Sequence, residues 1–410
     1  MKDGKNILEI VLSLLMPVVF VGVFALILVF WFQVDSSDGV QTMQQPQAAV
    51  QETGEPKKDG QNDNQGQQAE GNEGQDAKAQ QLLEDMSLED KVAQLFVITP
   101  EALTGIEDVV AAGESTAQAY DASPVGGLVY FENNLESEEQ LKTMLANMKQ
   151  ISAERAGIPA FLSIDEEGGE VARIANQGSF SVENTGPMWE IGESEDKTKA
   201  YEAGAAIGSY LKEYGFNLDY APVADVVGSE DNTVIGNRSF GTDPQTVGEM
   251  AAEAVKGFKS QGILTVLKHF PGHGSTTEDS HKEFAYNNST AEELQSHDFI
   301  PFQSGIEAGA DMVMVGHICV PNITGDDTPS SLSKKVVTDI LRGQLGFDGL
   351  VITDALNMGA ISGNYESADA AVRAVEAGCD LLLMPEDFQT AYQGVLDGVN
   401  SGRITEERID

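Results

Sequence analysis

The segment Lys268-His269-Phe270-Pro271-Gly272-His273-Gly274, with Asp279-Ser280-His281 just beyond it, gathers three of the chain's five histidines beside a lysine and an aspartate. Imidazoles and carboxylates so close in sequence suit two kinds of chemistry, proton transfer at a substrate or ligation of a metal. The run ahead of them, Ile263-Leu264-Thr265-Val266-Leu267, reads as a buried strand, and the Pro-Gly and Gly-Ser pairs turn the chain into a loop at its end. Loops on a rigid scaffold are where working side chains collect. A metal-dependent hydrolase using His269, His273, Asp279 and His281 as ligands stands as one reading. Against it, Pro271 and Gly272 separate the first two histidines, and no helix presents them on one face. The acid/base reading is preferred, and no metal or cofactor is expected.

The elements that must position these residues recur along the chain. Eight short runs rich in Val, Ile, Leu and Phe cover residues 94–99, 127–131, 161–165, 217–223, 264–269, 312–316, 350–354 and 381–385. Helical spacing of apolar residues fills the intervals at 138–153, 196–214, 244–261, 291–308, 334–345 and 367–377. Gly157, Gly215, Gly262, Gly309, Gly346 and Gly378 stand where helices must turn into strands. This alternation predicts an α/β fold, a TIM (β/α)8 barrel over residues 81–410, with a doubly wound open sheet as the alternative.

In such a barrel the C-terminal strand ends converge on one rim. Charged residues occupy those places here: Asp165-Glu166-Glu167-Gly168-Gly169 after the third strand, Asp225 after the fourth, Lys268 and His269 on the fifth, His317 after the sixth, Asp354 on the seventh. One strand-end carboxylate is an ordinary loop cap. Several converging on one rim make a site.

Two segments of different character precede the barrel. From Ile7 to Phe32 the chain is apolar except for Glu9, Ser13, Pro17 and Gly22. At ~1.5 Å per residue that run is long enough to cross a ~30 Å hydrocarbon core. Residues 1–34 therefore read as an uncleaved transmembrane anchor. Lys2 and Lys5 ahead of the span put the N-terminus in the cytoplasm and the catalytic domain outside, as in a single-pass cell-membrane protein. Residues 35–80, rich in Gln, Asn, Gly and Glu, read as a disordered linker. A formal net charge of -42 excludes nonspecific nucleic-acid binding as a main role. The two cysteines, Cys319 and Cys379, lack framework spacing and read as buried free thiols. A monomer is expected.

The loop segment, Lys268 to Gly274 with Asp279-Ser280-His281, resembles the signature of glycoside hydrolase family 3, in its β-N-acetylglucosaminidase branch. Asp165-Glu166-Glu167-Gly168-Gly169 resembles the family's Asp-x-Glu-Gly-Gly block, Asn237-Arg238-Ser239-Phe240-Gly241 its Arg-Ser-Phe block, and Thr353-Asp354-Ala355-Leu356-Asn357-Met358-Gly359 its nucleophile segment. The resemblance spans about residues 82 to 410. It implies a retaining exo-β-N-acetylglucosaminidase in which Asp354 attacks the sugar to give a covalent glycosyl-enzyme. His281 is then the general acid and later the base, and Asp279 orients its ring. Asp165, Arg238, Lys268 and His269 are implied to hold the sugar, and the substrates to be GlcNAc-containing cell-wall saccharides or muropeptides. A phosphorylase or a β-glucosidase of the same family is the nearest alternative; a silent wall-binding scaffold is disfavoured by the intact Asp354, Asp279 and His281.

His273 is expected to shape the loop, His317 to hydrogen-bond at its strand end, and His297 to be exposed. Glu166 and Glu170 stand where the family more often has Gln and Arg, which makes the site's surroundings more acidic. Family members commonly continue past the segment that 403–408 matches, so the resemblance implies a C-terminal helix cut short.

Overall fold

The computed structural model of the chain describes residues 77–228, 232–276 and 278–410. Among them one sheet of eight parallel strands runs through β1 (Phe96–Ile98), β2 (Gly127–Val129), β3 (Phe161–Ile164), β4 (Leu218–Asp219), β5 (Leu264–Phe270), β6 (Met312–Val315), β7 (Leu350–Thr353) and β8 (Leu382–Leu383). Each strand pairs with the next in sequence except at one edge, where β1 pairs with β8 and Phe96 stands opposite Leu382. The remaining gap closes through a parallel bridge between Ile352 and Leu381, so the sheet is a barrel rather than an open doubly wound sheet.

A parallel sheet that is covered on both faces must be apolar on both. Alternate residues serve the two faces here. Val97, Leu218, Val266, Met312 and Ile352 belong to one cluster within the barrel, while their neighbours Phe96, Leu267, Val313 and Val351 join the larger cluster under the helices. The helices packed around it include Glu114–Ala122, Glu138–Ala156, Lys197–Tyr214, Pro244–Ser260, Phe299–Glu307 and Ser367–Ala377, with Phe388–Asn400 following β8. Side chains cap several of their starts: Ser137 accepts from the amide of Gln140, and Asp243 from that of Thr246. The six glycines expected between helices and strands all take left-handed φ values, from 71° at Gly346 to 112° at Gly378.

Four details differ from the sequence reading. The fourth strand, expected over 217–223, keeps ladder pairing only at Leu218–Asp219, because Pro222 has no N–H to donate; Val223 then bridges to Lys268. The helix expected over 291–308 is two, Ala291–Ser296 and Phe299–Glu307, broken where His297 leaves helical geometry at φ -136° and ψ -83°. Lys335–Gln344 is a π-helix, which apolar periodicity does not distinguish from an α-helix. Finally, residues 77–85 are helical, so the linker expected to be disordered as far as residue 80 already carries ordered structure at its end.

The expected span Ile7–Phe32 and the rest of the linker lie outside the described residues. Among the described residues no helix is long and apolar enough to cross a membrane. Cys319 and Cys379 are buried free thiols.

Candidate active site

The C-terminal strand ends surround a cavity of about 590 Å³. Asp165, Arg238, Lys268, His269, His281 and Asp354 all line it, which brings together six of the seven residues singled out from the sequence. Asp279 stands behind His281.

Asp354 follows β7 directly, and its amide donates to the carbonyl of Val315 on the neighbouring strand at 2.9 Å, which fixes the start of its loop. One carboxylate oxygen accepts from the amide of Ala355 at 2.8 Å. Burial raises this carboxyl's pKa, but the His269 and His317 imidazoles and the Ala355 amide outweigh it, and the group settles below the ordinary aspartate value. It is held as a carboxylate.

His317 is fully buried and supports this arrangement from below. Its Nε2 lies 2.9 Å from the carbonyl oxygen of Ala355 and its Nδ1 2.8 Å from Oγ of Ser331. A carbonyl only accepts, so Nε2 carries the proton and tethers the residue whose amide holds Asp354. His269 is oriented by Asp225, whose Oδ2 lies 2.7 Å from Nδ1 and accepts from the His269 amide at 3.1 Å. The other oxygen of Asp225 accepts from the His273 amide at 2.6 Å. Burial pushes the Asp225 carboxyl up, but His269, His273 and these bonds bring it below its ordinary value. One buried carboxylate therefore braces the whole strand-end turn and, among the described residues, leaves Nε2 of His269 without a hydrogen bond.

The second wall is a chain of charges. Nζ of Lys268 lies 2.8 Å from Oδ1 of Asp165 and 2.6 Å from Oε1 of Glu167. Both oxygens of Glu167 in turn accept from Arg238, Nε and Nη2 each at 2.8 Å, the paired geometry that matches a guanidinium to a carboxylate. Burial would lower the Lys268 ammonium, yet Asp165 and Glu167 hold it above its ordinary value. Glu167 is likewise driven up by burial and pulled far below the carboxylate range by Arg238 and Lys268. These charges are fixed before any ligand arrives, so they present rigid donors and acceptors to a polyhydroxylated molecule.

The third part is the loop beyond β5. Nδ1 of His281 lies 2.9 Å from Oδ1 of Asp279, whose other oxygen meets Nζ of Lys282 at 3.0 Å. Burial raises the Asp279 carboxyl, but Lys282 and His281 together outweigh it and lower it to about 2. As a carboxylate it accepts from Nδ1–H, so Nε2 of His281 is the nitrogen available for proton transfer. His297, expected to be exposed, is partly buried against Asp298, which raises its pKa.

Sequence reasoning assigned no role to Glu167, Asp225 or Arg173. Glu167 lies within the Asp-x-Glu-Gly-Gly block, and its spacing of two from Asp165 is the signal the sequence carries. Asp225 is visible in the sequence only as a strand-end acid. Arg173 carries no local signal: its guanidinium lies 5.5 Å from the Phe131 ring centroid and bonds Glu132 at 2.7 Å, with Asp165 at 4.0 Å. Among the described residues no group of His, Cys, Asp or Glu is arranged to hold a metal, because His269, His273 and His281 are each committed to different partners.

Comparison with known proteins places the chain in a family. Residues 87–410 match the model of the glycosyl hydrolase family 3 N-terminal domain. A β-hexosaminidase of Stenotrophomonas maltophilia is 36% identical over 294 residues, covering 70% of this chain and 85% of that protein. A β-hexosaminidase of Mycobacterium tuberculosis is 34% identical over 305 residues, 73% of each chain. Among solved structures, a family 3 β-N-acetylglucosaminidase from Paenibacillus sp. superposes with a TM-score of 0.74 at 39% identity. That match covers 79% of this chain and 60% of the Paenibacillus chain.

Proposed function

The chain belongs to glycoside hydrolase family 3, in its β-hexosaminidase branch, and we propose that it is a retaining exo-β-N-acetylglucosaminidase. Its substrates in this reading are cell-wall saccharides or muropeptides that end in β-linked GlcNAc. The observation that carries it is the pairing, on one cavity, of a buried carboxylate held ionised with an imidazole whose second nitrogen is oriented by an aspartate.

In the first step an oxygen of Asp354 attacks the anomeric carbon while the bond from that carbon to the leaving oxygen breaks. The departing oxygen takes the proton from Nε2 of His281. In the second step the imidazole accepts a proton from water as the water oxygen attacks the same carbon, and the Asp354 carboxylate is released. Two inversions retain the configuration. Asp279 holds the ring in the tautomer that both steps need, as the aspartate of a serine-protease triad does. Asp165, Lys268 and Arg238 are assigned to the sugar hydroxyls, with Glu167 keeping both cations in place and His269 donating or accepting through Nε2.

The apolar run Ile7–Phe32 supports attachment of this domain to the outer face of a membrane. The deciding experiment compares hydrolysis of an aryl β-N-acetylglucosaminide and an aryl β-glucoside by the wild type and His281→Ala. The reading requires release from the first substrate, little from the second, and a large loss in the variant. Turnover that depended on inorganic phosphate would replace hydrolysis with phosphorolysis.

A further inference from the structure

His281 must meet the same cavity twice, as acid and as base, yet its side chain is 62% exposed, and among the described residues its ring bonds only Asp279, on the same loop. What holds that loop in place is a residue outside the reaction scheme. His273 is 2% exposed and uses both ring nitrogens, Nδ1 at 2.7 Å from Oγ1 of Thr276 and Nε2 at 2.9 Å from Oγ of Ser280. The Thr276 hydroxyl donates to the His273 carbonyl at 2.9 Å, so it accepts from Nδ1–H, and Nε2 is left as the acceptor for the Ser280 hydroxyl. Thr276 and Ser280 are each 1% exposed and lie on either side of the turn that carries Asp279.

A second clasp joins the loop to the nucleophile's own segment. The carbonyl of His281 accepts from the amide of Gly359 at 3.0 Å, and that of Ser280 from Ala360 at 3.3 Å. A Cβ on Gly359 would come within 2.8 Å of the carbonyl oxygens of both His281 and Lys282, closer than any side chain tolerates. The missing side chain is what lets the loop dock five residues past Asp354.

The geometry points to His273 and Gly359 as positioning residues of the reaction: together they staple the loop after β5 to the segment after β7, so that His281 and Asp354 face the cavity in one fixed relation. This inference rests on the reading of His281 as the acid and base. Gly359 does not line the cavity and the His273 ring borders it, but both nitrogens of that ring are spent on the loop, so both residues act through His281.

The test uses a series of aryl β-N-acetylglucosaminides whose phenols differ in acidity, with kcat/KM measured for the wild type, Ser280→Ala, Gly359→Ala and His281→Ala. A dinitrophenolate leaves without a proton, whereas an unsubstituted phenol needs one, so a displaced acid costs rate only on poor leaving groups. For Ser280→Ala and Gly359→Ala we expect a loss of roughly 10- to 100-fold on the phenyl glycoside, within the ~10²–10⁴-fold that a positioned general acid contributes, and little loss on the dinitrophenyl one. Ser280→Ala removes a single hydroxyl, so it carries the test if Gly359→Ala fails to fold. Losses equal across the series would mean fewer folded molecules and overturn the staple. If His281→Ala itself showed no leaving-group dependence, the fault would lie with the acid/base reading instead.

Discussion

Nζ of Lys268 lies 2.6 Å from Oε1 of Glu167 with both side chains 2% exposed, so two opposite charges are matched where neither is solvated. Glu167 shares its other contacts with Arg238, and among the described residues it is the carboxylate in direct contact with both cations. Its replacement by glutamine should therefore do more than weaken one bond. Breaking a buried pair from one side costs about 3–5 kcal/mol, because the remaining charge is left without compensation. Urea denaturation of Glu167→Gln should show a loss of that order, with a raised KM for an aryl N-acetylglucosaminide. A stability and KM equal to those of the wild type would remove Glu167 from the account.

The protonation state of Asp354, the proposed nucleophile, gives a second expectation. Asp354 lies below the ordinary aspartate value, ~3.9, so lowering the pH to that point leaves most of the carboxylate ionised, and the acid limb of kcat/KM belongs beneath it. His317 is one of the groups that pull it down. In His317→Asn the Asp354 carboxyl should titrate higher and the acid limb should move up in pH. An unchanged limb would mean that His317 does not influence the nucleophile.

Asp219 makes a prediction of the opposite sign. It is fully buried, and its Oδ2 has no hydrogen-bond partner among the described residues. Burial raises its pKa well above the ordinary value, with the nearby Glu166 charge adding to the effect. The folded chain then keeps this proton to a higher pH than the unfolded chain does. Above ~pH 4 the native state binds more protons than the unfolded one, so this group makes stability fall as pH rises. Asp219→Asn cannot ionise, and the difference in urea midpoint between variant and wild type should shift in the variant's favour from pH 4 to pH 8. A difference independent of pH would show that Asp219 is not protonated in the fold.

Much of this was legible in the chain, for identifiable reasons. Barrel strands are short apolar runs between helical repeats, and all eight stand where those runs lie. The strand-end position of Lys268, His269 and Asp354 followed from the same periodicity. The partners of these residues did not. Glu167 and Lys268 are about a hundred positions apart, and Asp225 and His269 more than forty, so each pair exists only once the barrel gathers its strand ends on one rim. Arg173 reaches the cavity on a two-stranded turn, Glu166–Gly168 with Val171–Ala172, that has no pattern of its own. The π-helix and the interrupted fourth strand were hidden because apolar spacing reports which face is buried, not which hydrogen bonds are made.

The covalent role proposed for Asp354 is open to direct observation. In His281→Ala a dinitrophenyl β-N-acetylglucosaminide can still glycosylate the enzyme, since its leaving group needs no proton, but water lacks the base that would release the sugar. Rapid-quench mass spectrometry of that variant should show the protein gaining the mass of one N-acetylglucosaminyl residue, located by peptide digestion on Asp354. Turnover with no such adduct, or an adduct on any other residue, would contradict the mechanism.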